Sequence, residues 1–339
     1  MFWTYRWGQA VVLINDDLYV HGGSTDETGS FPYASAPPSS DLFYLSLASP
    51  FDPASPPWQL INSSANATGS PSPALVWHSL SAFRPTSVLL FGGKFDPNSP
   101  RFVLPNAPDS AFILNTEDPL NPVWTAESSS WANEPNRRIR HTTSTSRGKV
   151  YLIGGERADG PDVGFLTNHV FDITSLSFTA LPSVNGPPPI SGHASVVLPD
   201  GRLLVLGGYS PSLNELLPLT TLWVLDTTQT PLSWSSVSVV GTRIPPARRA
   251  FAAAVLSNGE VIIHGGCDAI YETSFDDGWQ LNTNESPMTW TQLPALTRLG
   301  ARRDHFAISR DNVVIFGFGE FALTYYLLHM QPAQRQTNC

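Results

Sequence analysis

Arginine and histidine recur at one register along this chain of 339 residues. His78 follows Trp77, His141 follows Arg140, His193 follows Gly192 and His305 follows Asp304. Arg138 and Arg140, Arg248 and Arg249, and Arg302 and Arg303 gather at the same places. A guanidinium is a planar fork that matches a carboxylate or sulfate with two parallel hydrogen bonds. An imidazole titrates near neutrality and ligates metals. The ligand-binding candidates are therefore Arg138, Arg140, Arg248, Arg249, Arg302, Arg303, His78, His141, His193 and His305. The ligand they suit is a protein, an acidic peptide or an acidic glycan. A second reading gives each side chain a structural task, hydrogen bonding to loop carbonyls and to nearby carboxylates such as Glu156 and Asp268.

These residues keep a fixed distance from a second pattern. About 14 residues further on, an apolar run meets two glycines. The copies read LYVHGG (18–23), LLFGG (89–93), VYLIGG (150–155), LLVLGG (203–208) and VIIHGG (261–266). A sixth reads VVIFGFG (313–319), with Phe318 in place of the second glycine. The intervals run from about 50 to 70 residues, so a core unit recurs while its loops vary. Turn signals such as Arg147-Gly148, Pro199-Asp200-Gly201 and Ser257-Asn258-Gly259 stand before the apolar runs and predict hairpins. Alternating segments follow, among them SAFILNT (110–116), NHVFDIT (168–174) and TLWVLDT (221–227). An aromatic then opens a fourth strand: Trp58, Trp124, Phe178, Trp234 or Trp290. Four short strands per unit and six units predict an all-β fold, a six-bladed β-propeller with four-stranded antiparallel blades. It is expected to form one domain over 1–339.

The diglycine, the aromatic of strand four and their spacing resemble kelch repeats over nearly the whole chain, from about residue 8 to about residue 328. The first unit departs from the pattern, with Gly8 where the others carry a His or Arg start. The last lacks the second glycine and a following aromatic strand. Trp3, in Met1-Phe2-Trp3-Thr4-Tyr5, is expected to supply that strand and close the ring, which would remove exposed sheet edges.

In such a meander the loops entering strand one and leaving strand two share a face. That face carries 24–40, 94–109, 156–167, 209–220, 267–276 and 320–321, with the arginines and histidines beside them. Loops held on a rigid scaffold are where binding residues concentrate. The expected function is a non-enzymatic binding and interaction module acting through this face. The alternative is an enzyme acting on sugars or sugar acids there, as the kelch-like sialic-acid mutarotases do, since a fold alone does not set a function. Copper-radical oxidases related to galactose oxidase also share kelch-like blades. Their chemistry needs a tyrosine crosslinked to cysteine and a second tyrosine beside a histidine. The one internal cysteine, Cys267, stands four residues before Tyr271, and no Tyr-His dipeptide exists. Histidines at equivalent blade positions approach a channel from different sides, too far apart to share one metal ion. No catalytic residue, cofactor or metal is expected, and His21 and His264 read as structural.

Composition narrows the setting. Hydrophobic residues make up 41%, enough for a sizeable core, while charged residues are only 14%. The net charge of −9 argues against a general nucleic-acid role. Two cysteines, Cys267 and Cys339, are too few for a disulfide scaffold, and whether they pair is open. No run of about 18 apolar residues is present, so no membrane insertion is expected. The start MFWTYRWGQ has no signal-peptide core, and the abrupt ends suggest a piece of a longer precursor. Asn62, Asn66 and Asn284 head glycosylation sequons. With the low charge they point to an extracellular or cell-surface glycoprotein, and the Ser/Pro-rich loops resemble those of fungal cell-surface kelch proteins.

Overall fold

The computed structural model describes residues 5–26, 31, 33–52, 55–61, 70–95, 111–126, 131–158 and 163–320, with the backbone of 326–329. Asn62, Asn66, Trp3 and Cys339 lie outside the described residues, and so do the expectations placed on them.

The architecture is all-β, a β-propeller. The first sheet runs Ala10–Ile14, Asp17–His21, Leu42–Ser46 and Gln59–Ile61. The second runs Leu75–Arg84, Ser87–Phe95, Ala111–Asn115 and Val123–Ala126, and the third Thr142–Ser146, Lys149–Ile153, His169–Asp172 and Ser177–Ala180. The fourth runs Ala194–Val197, Arg202–Leu206, Thr221–Asp226 and Trp234–Val240, and the fifth Ala252–Val255, Val261–His264, Gly278–Asn282 and Met288–Gln292. In the sixth, Phe306–Arg310, Val313–Gly317 and Tyr326–His329 are described. Pairing within each sheet is antiparallel between chain neighbours, with hairpins where the turn signals stand. The outer strands of the fourth and fifth sheets also touch in parallel, Val239 opposite Met288. Pro294–Leu299 forms a 3-10 turn. Among the described residues no helix is long and apolar enough to cross a membrane.

The sheets stack face to face, and the second strands, such as Lys149–Ile153, Arg202–Leu206 and Val261–His264, bury residues on both sides. Among the described residues, six buried clusters fill the gaps between successive sheets. One of them joins Leu18, Val20 and Phe43 of the first sheet to Phe306 and Ile315 of the sixth. Trp58, Trp124, Phe178, Trp234 and Trp290, the aromatics of strand four, each lie in one of these clusters. The first strand of each sheet meets the first strands of its two neighbours, so these strands line the axis.

The paired glycines answer to the same crowding. A Cβ on Gly92 would stand 2.4 Å from the Arg138 carbonyl and 2.7 Å from Cε1 of His141, both in the next sheet. A Cβ on Gly93 would stand 2.7 Å from Cβ of His78 in its own sheet. Both glycines also need φ near +70° and +91°. The sixth unit corrects the sequence reading: Phe318, with φ 58°, occupies the first glycine place, and Gly319 the second. The reason lies next door. The sheet that follows, the first, offers Gln9 where four of the others offer an imidazole, and the Phe318 ring fills the gap against Phe43, Trp58 and Phe306.

Candidate functional site: the axial mouth

Each inner strand is entered through a four-residue step. The steps are Arg6-Trp7-Gly8-Gln9, Leu75-Val76-Trp77-His78, Arg138-Ile139-Arg140-His141, Ile190-Ser191-Gly192-His193, Arg248-Arg249-Ala250-Phe251 and Arg302-Arg303-Asp304-His305. Register decides what each place meets.

The first place is buried and anchors the turn of its own sheet. Arg138 donates to the carbonyls of Gly154 at 2.9 Å and Thr167 at 3.1 Å. Arg248 donates to the Gly265 carbonyl and forks onto Asp277 at 2.6 and 2.8 Å. Arg302 donates to the carbonyls of Leu299 and Phe318. The fourth place holds the wedge between neighbouring glycine pairs. There the Nε2 atoms of His78, His141, His193 and His305 meet His21 (2.9 Å), Ser79 (2.8 Å), Thr142 (2.9 Å) and His264 (3.1 Å). Thus Arg138, Arg248 and Arg302 sit under the face, and the four histidines line the top of the channel.

The third place forms the mouth. Trp77 N donates to the Gly8 carbonyl, Arg140 N to Trp77, Gly192 N to Arg140, Ala250 N to Gly192, Asp304 N to Ala250 and Gly8 N to Asp304, at 2.7 to 3.4 Å. This backbone ring closes on itself and requires a left-handed residue at every position. Gly8 and Gly192 adopt φ 63° and 62° without strain. Trp77, Arg140, Ala250 and Asp304 adopt φ 58°, 53°, 55° and 48° against the preference of their Cβ atoms. Sterics favour glycine here, yet a tryptophan, an arginine and an aspartate are aimed at the axis.

Their side chains interlock. The Trp77 indole donates to Asp304 Oδ2 at 2.9 Å, and the Tyr33 hydroxyl donates to the same oxygen. The Arg140 guanidinium lies 4.1 Å from the Trp77 ring and 2.5 Å from Glu156 Oε1. Ser191 donates to the other Glu156 oxygen at 2.9 Å, and Arg249 stands 4.0 Å from it. Arg303 pairs with Glu320 at 2.5 Å. Burial alone would draw the Arg140 guanidinium down, but Tyr271, Tyr33 and Glu156 outweigh it and hold its proton more firmly than usual. Burial, reinforced by Asp304, keeps the Tyr33 phenol well above its ordinary range. Burial also pushes the Cys267 thiol up to about 12, so it is not a thiolate near neutral pH.

A model of the KLHDC2/KLHL20/DRC7 Kelch-repeats domain matches residues 140–330. The chain belongs to the kelch-repeat family. Adagio-like protein 1 of Oryza sativa subsp. japonica is 28% identical over 276 residues, covering 77% of this chain and 39% of that protein. Adagio protein 3 of Arabidopsis thaliana is 26% identical over 272 residues, with the same coverages. Kelch domain-containing protein 3 of Rattus norvegicus is 30% identical over 168 residues, 46% of this chain and 41% of that protein. The chain spans about two fifths of the length of these relatives.

Below the mouth of this kelch propeller a cavity of about 220 Å³ descends along the axis, lined by Gln9, the four histidines and Phe251. A second of about 270 Å³ lies lower, among Ser144, Ser195, Ala253 and Ser309. Among the described residues no group of three or more His, Cys, Asp or Glu is placed to hold a metal ion. Of the sequence candidates, Arg140, Arg249 and Arg303 come together at the mouth. Tyr33, Tyr209 and Tyr271 join them from the loops. Nothing in the repeat pattern marks these tyrosines, because the loops share no register.

Proposed function

We propose that this kelch domain is a protein-interaction module whose partner docks on the loop face around the axial mouth. The observation that carries the reading is the strained ring. Non-glycine residues persist in left-handed conformations where function demands their side chains, and here three large polar or aromatic ones point at one spot. Around them the loops expose apolar tips: Phe31, Val163, Leu166, Leu213 and Ile270, the last 69% exposed. An arginine and aromatic centre with an apolar surround matches the composition of protein-binding hot spots. The ligand class is an acidic peptide or acidic protein loop. An acidic glycan offers the same carboxylates but no match for the apolar tips. We also propose that the ring comprises six four-stranded blades, the sixth completed by the N-terminal segment, and that the domain works outside the cell, the reading for which the sequons speak. Asn284 stands on an exposed turn and donates to the Asn258 carbonyl at 2.9 Å. A mass shift removed by a glycosidase and by Asn284→Gln checks that placement.

The enzymatic alternative gains nothing from the geometry, because Glu156, Glu320 and Asp304 already hold arginine, tyrosine or tryptophan partners. The test of the binding reading is differential. Ile270→Arg and Leu213→Arg on the loop face are expected to abolish capture of the partner from the native host. Leu120→Arg, in a turn on the opposite face and 47% exposed at present, is expected to leave it intact. Equal loss in all three variants, or none, would sink the assignment of this face.

A further inference from the structure

The centre of the mouth is filled by the protein itself. Tyr271 reaches in from the loop between the second and third strands of the fifth sheet. Three guanidinium groups surround its ring: Arg249 at 4.4 Å, Arg140 at 5.2 Å and Arg303 at 5.4 Å from the centroid. The Tyr33 ring packs beside it at 5.3 Å.

Each wall of this slot also has a holder other than its occupant. Arg140 is held by Glu156, Arg303 by Glu320, and Arg249 by Ser191 at 3.3 Å. The occupant, by contrast, fits poorly. Tyr271 carries φ 62°, a left-handed conformation unfavourable for an aromatic residue. Its hydroxyl is buried without a hydrogen-bond partner among the described residues. The Nε atoms of Arg140 and Arg249 are likewise buried and unpartnered. Burial of such donors without acceptors works against the filled state.

The loop that carries the ring keeps its own shape. Asp268 accepts from the backbone N–H groups of Ile270 at 3.1 Å, Glu272 at 3.0 Å and Thr273 at 2.8 Å. Its own N–H donates to the Thr273 carbonyl at 3.0 Å. Among the described residues, the Tyr271 ring and a bond from Arg303 to the Tyr271 carbonyl, 2.5 Å, tie the loop tip to the mouth. The tip can therefore lift as a unit.

We propose that the slot between Arg140, Arg249 and Arg303 is the anchor subsite of the docking face, that Tyr271 is an internal stand-in, and that a protein partner displaces it with an aromatic side chain flanked by a carboxylate. This rests on the reading of the loop face as the docking surface. The aromatic ring takes the place of the Tyr271 ring between the guanidiniums, where a cation meets the face of a π system. The carboxylate supplies the acceptors that the two Nε–H donors lack. The plug itself has this character, with Ile270 before the tyrosine and Glu272 after it.

The probe is a fluorescein-labelled peptide of residues 268–274, Asp-Ala-Ile-Tyr-Glu-Thr-Ser, added to the full chain. In fluorescence anisotropy, Tyr271→Ala protein is expected to bind it at least tenfold more tightly than the unaltered protein. Adding Arg249→Ala, or putting alanine in place of the peptide's tyrosine, is expected to remove that binding. A folded Tyr271→Ala protein that binds no better, or that binds the alanine peptide equally, overturns the proposal. Should that variant fail to fold, nitration of Tyr271 by tetranitromethane in the unaltered protein, read by mass spectrometry, decides instead. Excess peptide must speed nitration of Tyr271, and unchanged nitration overturns the idea. The docking face is judged separately: a partner that still binds Arg249→Ala at full affinity but is lost in Ile270→Arg leaves the face standing and removes the slot.

Discussion

Ala250 isolates the cost of the backbone ring, since it carries the left-handed φ of 55° with only a methyl group to explain it. Glycine at that place removes the steric penalty, so Ala250→Gly is expected to raise stability by about 0.5–1 kcal/mol despite the added chain entropy of the unfolded state. Gly192→Ala is the converse and is expected to cost about 1–2 kcal/mol. Thermal melts of the two variants check both signs. The arginines divide in the same way. Arg302 is fully buried and donates to two carbonyls, so Arg302→Ala leaves acceptors without donors and is expected to cost about 1–3 kcal/mol or more. Arg249→Ala leaves Glu156 still paired with Arg140 and is expected to lose less stability and more partner binding. If both variants melt alike, or Arg302→Ala is neutral, the division of the arginines into anchors and mouth residues is wrong.

At the scale of the element, the diglycine turn carries two separable costs. Gly92 and Gly148 both sit at φ 70°. A Cβ on Gly148 would meet nothing nearer than 3.6 Å, whereas one on Gly92 would strike the Arg138 carbonyl at 2.4 Å. Gly148→Ala is expected to cost about 1–2 kcal/mol, the left-handed penalty alone. Gly92→Ala adds a backbone clash between sheets and is expected to cost several kcal/mol or prevent folding. Comparable urea midpoints for the two would show that sheet contact is not what holds the glycine. The same contact explains where the sequence pattern misleads. Phe318 reads as a replacement of the second glycine by position in the string, and only the neighbouring sheet shows that it replaces the first. A string comparison does not say which residue of the following unit fills the space.

At the scale of the molecule, burial of histidine makes the propeller sensitive to acid. His21, His78, His141, His193, His264 and His305 are at most 6% exposed. Burial draws His21 and His193 down to about 3 and His264 to about 4, with Arg6 and Arg302 adding to the effect at His21 and His264. Burial also holds His78, His141 and His305 well below the ordinary value. A depressed folded-state pKa means that protons favour the unfolded chain, whose histidines titrate near 6.5. Stability is therefore full above about pH 6.5 and falls as the pH drops from there towards the folded values, by about 1.4 kcal/mol per pH unit for each histidine. The melting temperature is expected to fall steeply between about pH 6.5 and 4.5. His193→Phe, the residue type that Phe251 supplies at the equivalent place, is expected to flatten that fall. A melting temperature constant over this range would contradict the burial of these rings.

The sequence alone determined the repeat, the alternating strands, the turns and the aromatics that fill between sheets, because hydrophobic period and turn chemistry are local properties that recur in each unit. It also brought the arginines and histidines to one register. It did not separate Arg138, Arg248 and Arg302, which reach back to their own turns, from Arg140, Arg249 and Arg303, which face the mouth. Neighbours in the chain differ there only in the direction of the side chain, and direction is set by the closed backbone ring. Nor did it assign Tyr33, Tyr209 and Tyr271 to one site. Those residues come from different loops, and only the closure of the sheets about a common axis brings the loops over one opening.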